Sequence, residues 1–219
     1  LDSVFVWLVG SVWIGSMLFV FDGAGDTREV HLSLRRQRQM CIRARQRGVL
    51  LTARALELET VDRDLSRSSA MEAVKLAPTL IPAAVLSTKF ESEAHQVRRA
   101  RRIVETAWLK QPHPDLADAY SHVRLGDSAR QRLVRVETLA AKTPGNIEGA
   151  LAIARAAIDA AEFGKARAAL EPFTAAPTQR VALLMAEIER SEHGDSGRAR
   201  AWTLRAVRAL HDPVWTADG

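Results

Sequence analysis

Five prolines, Pro78, Pro112, Pro144, Pro177 and Pro213, recur at intervals of 34, 32, 33 and 36 residues. Each closes a stretch in which apolar residues return at helical spacing in two short segments. Proline lacks a backbone donor and its ring clashes with the preceding turn, so it stops a helix. A stop at this period predicts a stack of helical hairpins, each too small to bury its apolar face except against a neighbour. Such a stack is all-α and forms a right-handed solenoid. It offers an extended surface in place of a catalytic pocket, which turns the functional question from reaction to partner.

The composition suits close helix packing. Apolar residues make up 47% of the chain and aromatics only 5%, so small and aliphatic side chains supply the core. The single cysteine, Cys41, cannot close an internal disulfide, and no His/Cys cluster has metal-ligand spacing. The expected cofactor and metal content is none. A net charge of +5 and a pI near 10.0 come mostly from arginine; that charge suits nucleic acid, anionic lipid or an acidic protein and does not choose between them.

A boundary lies near residue 46. Residues 1–46 contain two alanines, Ala24 and Ala44, and residues 47–219 contain 34. The expected organisation is a hydrophobic segment with a basic linker (1–46), a repeat domain of about five hairpins (47–215) and a short truncated tail (216–219). Nineteen uncharged residues, 3–21, lie between Asp2 and Asp22; as a helix they span roughly 28 Å, about one hydrocarbon core, which makes them a transmembrane candidate. The arginine-rich stretch from Arg28 to Arg47 would hold the following domain on the cytoplasmic side of that membrane, near anionic headgroups. A buried helix with a solvated basic linker is the competing reading.

The repeats can be laid on the tetratricopeptide pattern, which wants small residues where helices cross. From Ile81, Ala100 and Ala107 take the small positions and Pro112 closes the unit. From Ile147, Ala154 serves the first helix, and Ala166 and Leu170 serve the second. The unit between Asp115 and Pro144 is interrupted by Gly126 and Asp127, predicting a shortened or irregular hairpin. Turn chemistry is expected at Phe163–Gly164 and at 195–197, and Asp115, Thr143 and Thr178 are candidate N-caps.

Several segments together resemble the alphaproteobacterial HemY family: VLLTARALELE (49–59), AVKLAPTLIPAAVL (73–86), HPDLADAYSHVRLGDSARQRLVRVETLAAKTPGN (113–146), ARAALEPFTAAPTQRVALLMAEIE (166–189) and DPVWTADG (212–219). The resemblance implies a tetratricopeptide inner-membrane protein whose partners are enzymes of late haem and porphyrin biosynthesis. It also implies that this chain is a fragment, with membrane helices missing from its N-terminal side and with residues 1–46 aberrant. The family's namesake, a flavin oxidase, is excluded because Gly23 and Gly25 lack the third glycine and the strand–helix–strand context of a dinucleotide site.

No catalytic constellation emerges. The six histidines are scattered, and His113, between Pro112 and Pro114, reads as a turn residue before a haem ligand. Cys41 has basic neighbours but no surrounding site. The cluster Arg98, Arg99, Arg101 and Arg102 lacks interleaved aromatics, so a solvated helix face outweighs a nucleic-acid site. Trp108, Trp202 and Trp215 read as packing residues. The expectation is therefore a noncatalytic, membrane-associated scaffold that binds protein partners in the groove of its first helices, with Lys89, Glu93, Arg155 and Asp159 aimed into it. The alternative is a soluble basic helical-repeat module binding nucleic acid or an acidic partner.

Overall fold

The structure is a computed structural model that describes the backbone of residues 27–194 and 196–212, with side chains from residue 42 onward except at 193 and 196. The apolar run 3–21, Trp215 and Pro213 lie outside the described residues, as does the Cys41 side chain. The chain divides into two compact units, 1–41 and 42–219. Of the first unit, only the backbone from Thr27 is described. No described helix is long and apolar enough to cross a membrane.

The fold is all-α. Ten helices are found among the described residues: α1 (Thr27–Leu58), α2 (Arg63–Leu76), α3 (Ile81–Glu93), α4 (Val97–Trp108), α5 (Pro114–Ser121), α6 (Ala129–Ala140), α7 (Ile147–Asp159), α8 (Phe163–Leu170), α9 (Gln179–His193) and α10 (Ser196–Arg208). A 3₁₀ turn, Glu171–Phe173, extends α8. Pro78, Pro112, Pro144 and Pro177 all fall between one helix pair and the next. Within the second unit, α4 packs on α3 and α5, α6 on α5 and α7, and α8 on α7 and α9, while α3, α5, α7 and α9 touch in series. The first helices thus form one layer and the second helices another.

In three of the pairs, α3–α4, α7–α8 and α9–α10, the turn is set by one residue in the left-handed region. His95 (φ 57°), Ala161 (φ 56°) and Gly194 (φ 62°) occupy equivalent places in their hairpins. At the first two, the next N–H reaches back to close the helix, Gln96 to the Glu91 carbonyl at 2.7 Å and Glu162 to the Ala157 carbonyl at 2.8 Å. The turn expected at Phe163–Gly164 therefore comes earlier, at Ala160–Glu162, and Phe163 begins α8. Only Gly194 is the residue type such a turn announces, so the other two were invisible to glycine-based reading.

The third hairpin is irregular, as Gly126 and Asp127 predict. Helix α5 has 8 residues, and a loop with Gly126 at φ 86° precedes α6. Ser128 caps α6 reciprocally with Gln131. The expected caps need correction. His113 caps α5, its Nδ1 accepting the Asp115 N–H at 3.2 Å, because Pro114 fills the first helical position. Asn146, following the positive-φ Gly145, caps α7 in place of Thr143. Thr178 stands at the cap position of α9 but makes no capping bond.

Alanines fill the crossings: Ala84, Ala100, Ala107, Ala154 and Ala166 are buried. Gly149 lets α7 approach α6, where a Cβ would stand 3.2 Å from that of Ala140. Trp108 fills the space between hairpins and donates its indole N–H to Thr143 Oγ1 at 2.8 Å, so its one polar atom is satisfied in the core.

Candidate protein-binding groove

Opposite charges one repeat apart stand side by side on neighbouring hairpins. Arg155 of α7 donates to both carboxylate oxygens of Glu187 on α9 at 2.9 Å. Glu148 of α7 pairs with Arg180 of α9, whose Nε lies 3.1 Å from Asp212. Hydrogen bonding to Glu148 is the main influence raising the Arg180 pKa. Burial pushes the Asp212 carboxyl up, but the Arg180 backbone N–H and guanidinium outweigh it and hold it below its ordinary value. These ties fasten the segment after α10 across the start of α9, where the Gln179 N–H also donates to the Leu210 carbonyl at 3.1 Å.

An open cleft of about 320 Å³ runs across α5, α7 and α9. Its floor is apolar, from Val136, Leu151, Ala156 and Leu184. Leu183, 46% exposed, projects at one wall. The rim is charged: Asp118, His122, Arg132, Arg155, Asp159 and the Glu148–Arg180 pair. Asp118 lies 3.3 Å from the ring of His122, whereas Asp159 is exposed and has no ion-pair partner among the described residues. An apolar floor with a small number of polar groups at the rim suits a peptide side chain better than a reacting centre. No group of His, Cys, Asp and Glu able to hold a metal occurs among the described residues.

Of the four residues expected in the groove, Arg155 and Asp159 line this cleft. Lys89 and Glu93 do not: Lys89 pairs with Glu59 of the α1–α2 turn, and Glu93 with Arg63 of α2. Both are engaged in holding the first hairpin to the second. Asp118, His122, Leu183 and the Glu148–Arg180 pair escaped the sequence reading. The signal that could have found the pair was charge reversal at the repeat period, since residues 148, 180 and 212 are each 32 apart.

The arginine cluster lies on α4. Arg98, Arg99 and Arg102 are exposed, while Arg101 donates to the Tyr120 hydroxyl at 3.1 Å and that hydroxyl donates to Glu105 at 2.7 Å. Burial, then the Glu105 bond, raises the Tyr120 pKa. Trp108 is buried, as a packing residue should be, and half-buried Trp202 stacks under Arg205 at 4.5 Å.

Comparison with known proteins does not support the family resemblance. The chain is 31% identical over 176 residues to a probable magnetosome protein, Mms48, of Magnetospirillum gryphiswaldense; the match covers 80% of this chain and 39% of that protein. No protein-family model matches, and no solved structure does. The resemblance to the HemY family is therefore corrected: the similarity found leads to a protein named for the magnetosome, and the link to haem and porphyrin biosynthesis falls with it.

Proposed function

We propose that the chain is a noncatalytic scaffold, a right-handed solenoid of tetratricopeptide-like hairpins that binds a protein partner in the cleft of α5, α7 and α9. The observation that carries this is the apolar-floored cleft crossing three successive first helices, with Leu183 and Asp159 left uncovered at its wall. Arg155 and Arg180 at the rim are tied to Glu187 and Glu148, and half-buried Arg132 donates to the Asp127 carbonyl, so the charge left to a partner is that of Asp159 and the exposed Asp118 against Arg132. The favoured segment is apolar with a cationic flank. The same proposal places the scaffold at a bacterial inner membrane with its repeats on the cytoplasmic side, and the relative's name supports looking for it at magnetosomes in a strain that makes them.

The test is a crosslinking pull-down from native membranes with parent chain and with Arg155→Glu/Asp159→Lys as baits. Proteins held by the parent and lost by the variant, with helicity unchanged, are the expected result. Equal capture by both baits would refute the groove assignment.

A further inference from the structure

The two layers differ in charge. Helix α5 carries Asp115 and Asp118 without a cation, and α3, α7 and α9 each carry one more carboxylate than basic groups. The second helices are reversed. Four arginines face one glutamate on α4, three face one on α6, and α8 and α10 have basic residues and no carboxylate. Part of this excess is consumed inside the fold, as where Arg67 reaches buried Glu91 and Arg167 reaches buried Glu189. The remainder lies on α10, as Arg200, Arg205 and Arg208, and on α4, as Arg98, Arg99 and Arg102, all exposed and without a carboxylate partner among the described residues; the α4 set adjoins a depression beside α6.

This shallow depression is lined by Arg101, Arg124, Arg130 and Arg135, with a single carboxylate, Asp127. Asp127 is 6% exposed and held by Arg135 with Arg124 3.7 Å away, Arg130 pairs with Glu162 at 3.3 Å and Arg101 with Glu105 at 3.7 Å, so these four arginines meet three carboxylates and one positive charge is left over. Arg98 and Arg102 continue it along α4, exposed and without a carboxylate partner among the described residues. Aliphatic side chains stand among these arginines: Val134 in the depression and Leu125 in the adjoining loop are each 59% exposed, and Leu109 at the end of α4 is 56% exposed. No exposed aromatic accompanies them, since Trp108 and Tyr120 are buried.

We propose that the α4–α6 face of the second-helix layer docks on an anionic lipid surface, its guanidinium groups on headgroup phosphates and Leu109, Leu125 and Val134 entering the boundary beneath. The pairing of uncompensated arginine with projecting aliphatic tips is what an interfacial site requires, as each cation near an anionic leaflet adds attraction and each buried aliphatic adds transfer energy. Nucleic acid would use the same cations but gains nothing from the aliphatic tips and lacks a ring to stack bases. The inference stands independently of the groove and its partner.

The test uses the whole chain and two vesicle compositions, phosphatidylcholine alone and phosphatidylcholine with about one third phosphatidylglycerol. The readout is the difference in cosedimentation between them, which cancels charge-independent binding by residues 3–21. Arg98→Glu, Arg102→Glu and Arg124→Gln combined should lower affinity for the anionic vesicles about tenfold or more. Val134→Ser with Leu125→Ser should lower it severalfold and leave binding of a single-stranded RNA unchanged. Helicity and groove crosslinking serve as folding controls. The proposal is overturned if the charge variant binds anionic vesicles as the parent does, or if the aliphatic variant does. It is equally overturned, in favour of nucleic acid, if RNA binds more tightly than the vesicles and only RNA binding responds to the arginine changes.

Discussion

The first-helix layer and the second-helix layer are built from the same alanine-spaced repeats but present opposite surfaces. In the cleft across α5, α7 and α9, Arg155 and Arg180 are neutralised by partners one repeat away, Glu187 and Glu148, leaving an apolar floor with Asp159 unpaired among the described residues. Across α4 and α6 the cations outnumber the carboxylates that pair with them, and Arg98 and Arg102 project with none among the described residues. A repeat fixes which positions are small and which face a neighbour, but leaves the exposed positions of each helix free to carry different charge. Two binding chemistries can therefore coexist on one array.

The largest expected effect tests the core shared by both layers. Trp108 is buried and joined to Thr143 across the hairpin boundary, so Trp108→Ala should cost about 3–5 kcal/mol in denaturant unfolding and disable both surfaces together. Loss of one surface with the other intact would mean that the layers are not mechanically joined there. Next, Asp127→Asn removes the carboxylate that holds Arg135 and strands that cation in a half-buried site. A cost of about 2 kcal/mol is expected, with the α5–α6 loop gaining amide exchange and the groove rim of α9 keeping its protection.

Smaller effects sharpen the contrast further. Ala161→Gly relieves a left-handed φ without touching either surface, and a gain of up to about 1 kcal/mol in thermal unfolding is expected. Glycine's own backbone entropy opposes that gain, so a loss would mean the turn is relaxed as it stands. For Asp212 the sign is definite. Its folded pKa lies below the ordinary 3.8, so its contribution is whole above that value and disappears as pH falls through the depressed one. Acid titration should loosen the strap over α9 in the parent and have less effect in Asp212→Asn, read as amide exchange at Gln179 and Arg180.

Much of the fold was legible in the sequence because it rests on covalent punctuation and on size. Prolines stop helices wherever they fall, and Ala100, Ala107, Ala154 and Ala166 are small in any context. Turn positions were less legible, since His95 and Ala161 adopt a conformation that their residue types do not announce. The groove was half legible. Arg155 and Asp159 follow from the helical register, whereas Lys89 and Glu93 share that register but are occupied by Glu59 and Arg63. Ion pairs between hairpins depend on which carboxylate a neighbour presents, which appears only when charges are compared at the repeat period. The family resemblance, read from segments such as 113–146 and 166–189, did not hold, since the similarity found lies with a different protein.

The central claim, that the two layers meet different partners, is tested most directly by photocrosslinking in cells with a photoreactive amino acid placed at Leu183 or at Val134. Both side chains are exposed, one in the groove and one in the α4–α6 depression. The account predicts discrete protein adducts from position 183 and lipid adducts without those proteins from position 134. The same protein adducts from both positions, or none from position 183, would contradict it.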